Sequence, residues 1–390
     1  MWQTFAFLYS FFMLPPLVYL LIISLLGIRK VNHRENQKIN HSEKKPAQGR
    51  ICVLIPAHNE KLSIQRTIDN VLLAAEKSDH IDLYVIADNC NDNTASIAAN
   101  TLATVLERND TTLLGKGAAL QWAMSLLVDK DYDYTLIIDA DSMVNERYFL
   151  ELRQCLYESN SDVVQSRYEA LINEHSSIKR LAMLGFNVLR AQGRVALGGS
   201  AGIMGNGFIV SKAALERVPF RANSIVEDLE YHMRLVEHDV KVAYCNSARI
   251  YGEMPNDDSA SDIQSSRWEG GRLGILKSAF FPLLKKSVGG VLKGQFHALD
   301  ALLDLMLLPI GYMVLLLIIG LVFPLTQLTA LFGLVVIGVY VVGAAICGNG
   351  LSELSVLKSL PIFLVKKVAR IPSLLAASST KTQWKKTPRK

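Results

Sequence analysis

The sequence predicts an α/β chain: a doubly wound, mainly parallel sheet in its middle, with one apolar span before it and two after it. Short apolar runs rich in β-branched residues alternate with segments of helical periodicity between residues 51 and 138, the signature of a parallel sheet with crossover helices. Residues 1–28 carry no charge, and no charged residue follows Asp304 until Glu353. Each gap is long enough for spans that need about 20 apolar residues.

At 390 residues the chain has room for one large domain or two ordinary ones. Half of it is hydrophobic, and 41 basic residues against 36 acidic leave a net charge of +5. That balance is too mild for a nucleic-acid binder, and the basic residues cluster beside apolar segments instead. The five cysteines, Cys52, Cys90, Cys155, Cys245 and Cys347, show no paired spacing and read as reduced thiols.

In chain order, Phe5 to Ile28 reads as a transmembrane signal anchor, so residues 1–28 form the first segment. A cleaved leader would want a basic start and a small-residue cleavage site, and Pro15-Pro16 sits mid-span. Arg29, Lys30, Arg34, Lys38, Lys44, Lys45 and Arg50 come next in a basic linker, residues 29–49. By the positive-inside rule the chain beyond the anchor is cytoplasmic.

Residues 50–297 form the next segment. Ile51–Ile55 is a strand, then Ile64, Ile68, Val71, Leu72 and Ala75 fall at helical spacing. Ile81–Ala87 is a second strand, running into the polar turn from Asp88 to Thr94. Thr104–Leu106 is a third, a helix covers 117–128, and Leu136–Ile138 completes a β-α-β-α-β-α-β series. Neither a GxGxxG fingerprint nor a P-loop is present.

Leu305–Val322 and Leu328–Cys347 form a transmembrane hairpin within residues 298–348, with Pro324 at its turn and lysines on both outer flanks. Leu273–Leu292 and Leu354–Leu375 mix apolar residues with lysines and prolines, and suit the headgroup plane. Residues 349–390 close the chain as an interfacial segment and a basic tail, which suits an anionic leaflet or is simply unstructured.

Chemistry concentrates where strands end. Asp139 and Asp141 come directly after the Leu136–Ile138 run, at the strand edge where open α/β sheets bind ligands. Paired carboxylates there suit a hard divalent cation and its phosphate partner, although an Asp after a strand also caps turns. Ala57-His58-Asn59-Glu60 and Asp88 end the first two strands, and Lys116 in Gly115-Lys116-Gly117 offers a phosphate-side cation. In Ser224-Ile225-Val226-Glu227-Asp228, Ser224 and Glu227 match a capping box, while Asp228 could face a cleft as a general base. Gln264, Arg267 and Trp268 share one helical face, fit either to hold a diphosphate and a sugar ring or to anchor at an interface.

Taken together and in this order, these motifs resemble the family 2 glycosyltransferases, in particular the membrane-embedded branch of cellulose, chitin, hyaluronan and poly-N-acetylglucosamine synthases. The resemblance covers residues 50–300 and the flanking spans. It implies a GT-A fold, a Rossmann-like doubly wound mixed sheet, and inverting transfer from a nucleotide-diphosphate sugar, with a UDP-sugar expected and Mg²⁺ or Mn²⁺ as cofactor. It places Ala57, Asn59, Glu60, Asp88, Lys116, Asp139 and Asp141 around the nucleotide sugar, with Asp141 ligating the metal. Asp228 would take the acceptor proton, and Glu227, Gln264, Arg267 and Trp268 would hold the leaving diphosphate and the acceptor.

The expected acceptor is a growing glycan or a lipid-linked sugar at the inner face of the cell membrane. Three spans in one chain are few to line a glycan pore, so processive export would need a second copy or an export partner. A single transfer to a lipid carrier or glycolipid is the alternative. A nucleotide-binding regulator would not need Asp228, Asp141 and Arg267 together, and a transporter would need polar groups within residues 305–352, which carry no charge.

Overall fold

The computed structural model describes residues 2–35, 47–171, 177–221, 224–254 and 258–377. Linker residues Lys38, Lys44 and Lys45 and the basic tail 381–390 lie outside the described residues. The chain divides into two compact units. One holds Glu43–Ile172 and Gly202–Gly271, the other Met1–Ser42, Asn173–Ala201 and Arg272–Ser379. That 173–201 belongs with the apolar helices was not signalled by its patterning.

The first unit is built on an eight-stranded sheet: β1 (Ile51–Ala57), β2 (Ile81–Asp88), β3 (Thr104–Arg108), β4 (Tyr134–Ile137), β5 (Ser142–Val144), β6 (Val163–Ala170), β7 (Phe208–Ser211) and β8 (Val242–Gly252). Their order is β3-β2-β1-β4-β7-β6-β8-β5. The β3-β2-β1-β4 half is parallel, as the alternating pattern predicts. From β7 onward the sheet is mixed, with β7 antiparallel to both β4 and β6. The helix Ile64–Ala75 shows how the sequence builds the core. Ile64, Ile68 and Val71 recur at helical spacing and are fully buried beside Val53, Ile55 and Val85, each worth about 1.5–3 kcal/mol in burial.

The helix Glu227–Glu237 begins differently from the capping-box expectation. Val226 is its N-cap and makes no side-chain cap, while the Ser224 hydroxyl is buried without a hydrogen-bond partner. Glu227 is therefore the first helical residue and not the third, which frees its carboxylate from capping.

The second unit is helical. Trp2–Glu35 is one continuous helix through Pro15-Pro16, running past the expected end of the span at Ile28. It packs closely on the helical run through 178–196: a side chain at Gly193 would collide with the Ile23 carbonyl, the small-residue contact that lets apolar helices approach. Among the described residues two helices, Trp2–Val31 and Pro324–Cys347, are long and apolar enough to cross a membrane, or three if a bent pair counts as one span. That bent pair shows a break within the expected first arm of the hairpin, Leu305–Val322. Leu305 belongs to His297–Met306, and the chain turns 69° before Ile310–Val322, because Pro309 disfavours helix at the residue before it and cannot donate. Leu273–Leu292 lies largely within the long helix Asp258–Val291. In Leu360–Ala369, Ile362, Val365 and Val368 form an exposed apolar row.

Candidate active site

Strand register brings the chemistry to one edge. Ala57 on β1 sits opposite Ala87 on β2, and Leu54 opposite Ile137 on β4, so the segments beginning at His58, Asp88 and Ile138 leave the sheet side by side. The first two turns are tied together: the His58 Nδ1 lies 2.7 Å from the Asp88 carbonyl oxygen, and the Glu60 amide donates to Thr94 Oγ1 at 2.8 Å. Asn59 takes a left-handed conformation, and its side-chain oxygen accepts from the Asn91 amide at 2.8 Å.

Asp88 is 5 % exposed, and its Oδ1 accepts from Arg108 Nη1 at 2.6 Å. Arg108 also donates to Asp110 and to the Leu113 carbonyl. Burial pushes the Asp88 carboxyl up and Arg108 pulls it back, leaving it above the usual range. Arg108 was not among the expected residues. Its only signal is its place opposite Asp88 in the β2–β3 register, which exists only once the strands are paired.

Gly115, at φ +105°, precedes the helix Lys116–Leu127, so Lys116 starts its first turn. The Lys116 ammonium donates to Asp139 Oδ1 and to the Gly205 carbonyl, both at 2.5 Å. Burial works against that charge, but Asp139, Glu227 and Asp228 more than offset it, and the pKa rises. The Asp139 amide donates to the Asn206 side chain at 3.1 Å, and Asn206 donates onward to Ser142 Oγ at 2.8 Å. The loop Gly205-Asn206-Gly207 thus fixes the end of β4. Gly205 has φ +75°, and a Cβ there would lie 2.9 Å from Asp228 Oδ2, so this loop also walls in the candidate base.

Glu227 and Asp228 open their helix together, and Asp228 Oδ1 accepts from the Leu229 amide at 2.7 Å. Burial and the neighbouring Asp228 push Glu227 up to about 7, against the pull of Lys116 and Arg267. Burial likewise raises Asp228, opposed by the Leu229 amide, Lys116 and Arg267. Two adjacent carboxylates whose pKa values are raised by burial are the kind of pair that marks functional sites.

One cleft is lined by nearly all the expected side chains. Ala57, Glu60 and Asp88 come from the ends of β1 and β2, while Lys116, Asp139 and Asp141 come from the next two turns. Glu227 and Asp228 come next, and Gln264, Arg267 and Trp268 reach it from the helix Asp258–Val291. The Arg267 Nε is buried without a hydrogen-bond partner. Asn59 is not among the lining residues, because its side chain is spent on the Asn91 turn. His58, Tyr168 and Glu253 line the cleft without having been singled out as site residues.

Among the described residues no three His, Cys, Asp or Glu side chains converge as a complete metal shell. The donor set nevertheless fits a hard cation of the kind held by one or two carboxylates plus substrate phosphate oxygens. Lys116 occupies Asp139, and the Asp141 carboxylate lines the cleft beside it.

A family profile described as Glycosyl transferase family group 2 matches residues 134–346, more than half of the chain. The chain belongs to this family. Among curated relatives of this family 2 chain, a probable glycosyltransferase, YdaM, of Bacillus subtilis is 22% identical over 61% of this chain and 60% of its own length. A beta-monoglucosyldiacylglycerol synthase of Synechocystis is 24% identical over 57% of this chain and 47% of its own. The chain thus spans about half to three-fifths of these relatives. A solved mannosyltransferase of Pyrobaculum calidifontis, in complex with GDP-Man and Mn²⁺, superposes with a TM-score of 0.52 and covers 95% of this chain and 98% of itself at 15% identity. That likeness establishes the fold as GT-A, in agreement with the mixed sheet.

Proposed function

We propose that this chain is an inverting transferase that moves a sugar from a nucleotide-diphosphate donor, a UDP-sugar, to a lipid-linked or growing glycan acceptor at the cytoplasmic face of a membrane. The observation that carries this reading is the shared cleft of Asp228, Lys116 and Arg267: one base with raised pKa and two cations beside it. In such a site the acceptor hydroxyl gives its proton to Asp228 as its oxygen attacks the anomeric carbon. The bond from that carbon to the diphosphate oxygen breaks, and the electron pair leaves on the diphosphate. Arg267 and Lys116 stabilise the negative charge that develops there. Asp141 would hold a divalent cation, which would supply further neutralisation of the diphosphate. One displacement inverts the configuration, so no second carboxylate nucleophile is required.

Single transfer to a glycolipid or lipid carrier has its own support. Two or three candidate spans among the described residues are few for a glycan pore, and one relative is named for glucosyldiacylglycerol synthesis. The membrane placement draws on the same helices and on the lysines flanking them.

The test is nucleotide release by the purified, detergent-solubilised chain against UDP- and GDP-sugars with Mn²⁺ or Mg²⁺, beside Asp228→Asn. Release with one donor, lost in the variant and with chelator, is expected. No release and no donor binding by calorimetry would overturn the transferase reading.

A further inference from the structure

Within the apolar helical unit lies a buried charge cluster that the transfer chemistry does not use. Arg194 forks onto Asp300, with Nη2 at 2.8 Å and Nε at 3.2 Å from Oδ2. Tyr19 donates to Asp300 Oδ1 at 2.6 Å, and the Ser200 amide donates to Oδ2 at 3.2 Å. Asp304 accepts from Arg190, from Arg272 at 3.0 Å, and lies 3.4 Å from Arg194. Three guanidiniums therefore meet two carboxylates among the described residues. Their side chains are between 2 and 12 % exposed.

An uncompensated buried charge is expensive, and more so between apolar helices. Two further observations show where the compensation enters. The Nε atoms of Arg190 and Arg272 are buried and have no hydrogen-bond partner, so each guanidinium has a donor to spare. Both guanidiniums also lie over the Phe186 ring, at 4.6 and 5.6 Å from its centroid, and Phe186 is 40 % exposed. Phe186 and Arg190 sit in a stretch of π-helix, Leu184–Arg190, a rare conformation that recurs at functional sites.

We propose that Arg190 and Arg272, backed by Arg194, bind the phosphate of an anionic lipid headgroup, with Phe186 at the entrance. Guanidinium forks match phosphate oxygens in pairs. An exposed aromatic ring in an apolar helical unit suits an acyl-chain neighbour better than bulk water. The ligand class comes from the charge balance of the cluster and does not depend on the transferase reading.

The experiment measures thermal unfolding of the full chain in an uncharged detergent, without sugar donor, and compares phosphatidic acid, diacylglycerol and inorganic phosphate. Phosphatidic acid is expected to raise the midpoint by about 3 °C or more, and diacylglycerol to leave it unchanged. A rise with inorganic phosphate equal to that with the lipid overturns the lipid source, and no rise with either overturns the site. Arg272→Met separates ligand binding from a structural ion pair. It balances the cluster, so the lipid-induced rise is lost while the lipid-free midpoint stays level or increases. A lower lipid-free midpoint with the lipid response intact overturns the proposal. Should that variant not fold, Arg272→Lys keeps the charge without the fork. A tenfold or greater loss of lipid affinity is then expected, and unchanged affinity overturns the proposal.

Discussion

Arg108 and Asp88 face each other at the ends of neighbouring parallel strands and form a buried ion pair, 2.6 Å long, whose carboxylate partner lines the cleft. The pair turns a strand-end carboxylate into a fixed feature. Arg108 holds Asp88 by one oxygen, and in the proposed reaction the other would face the donor.

Removing Arg108 should therefore do more harm than removing the pair. Arg108→Met leaves Asp88 buried without its cation and is expected to destabilise the chain by about 3–5 kcal/mol. Losing Arg108 raises the Asp88 pKa further above its unfolded value, so the variant recovers stability as pH falls and Asp88 takes a proton. Arg108→Met with Asp88→Asn should recover part of the loss at pH 8. Thermal midpoints of the parent and the two variants at pH 5.5 and 8 check this.

Asp228→Asn keeps the shape of the cleft and removes the proposed base. Turnover is expected to fall about 10²- to 10⁴-fold, with donor binding within about threefold of the parent. Steady-state kinetics beside donor calorimetry measures both.

The carboxylate pair is expected to set the acid limb of the pH profile. With Glu227 pushed up to about 7 and Asp228 also raised, turnover should fall below neutral pH as the pair takes a proton, about tenfold per unit once well below the limb. Glu227→Gln removes the adjacent negative charge, so the limb should move to lower pH. A profile of kcat from pH 5 to 9 for both proteins shows whether it does.

Gly205→Ala tests the wall behind the base. The new methyl would lie 2.9 Å from Asp228 Oδ2, at a backbone φ of +75° that alanine disfavours. Turnover should drop at least about tenfold, while the thermal midpoint moves by only a few degrees.

Cation removal should abolish turnover, and Asp141→Asn should raise the half-saturating Mn²⁺ concentration more than about tenfold. A titration of Mn²⁺ into chelator-treated protein reads both.

The parallel half of the sheet was legible because its signals are local. Ile51–Ile55, Ile81–Ala87 and Leu136–Ile138 are β-branched runs that favour strands wherever they sit, and Ile64, Ile68 and Val71 declare a helical face by spacing alone. Candidate site residues at strand ends, such as Asp88 and Asp139, could be proposed the same way, since a strand's carboxyl end is a position along the chain. Asn59 shows the limit. It carries the same signal as Glu60, yet its side chain closes a turn onto Asn91, a partner that no spacing announces.

By itself the sequence determined the alternation of strands and helices, the charge-free spans, and the order of acidic and basic motifs, because each depends on propensity, periodicity or composition over a few neighbouring residues. Only the tertiary structure decided the mixed right half of the sheet, the bend before Ile310, the Arg108–Asp88 pair and the Arg190–Arg194–Arg272 cluster. Each of those depends on which distant segments meet. Burial then sets the strength of their electrostatics, and burial is a property of the packed chain and not of any stretch of it.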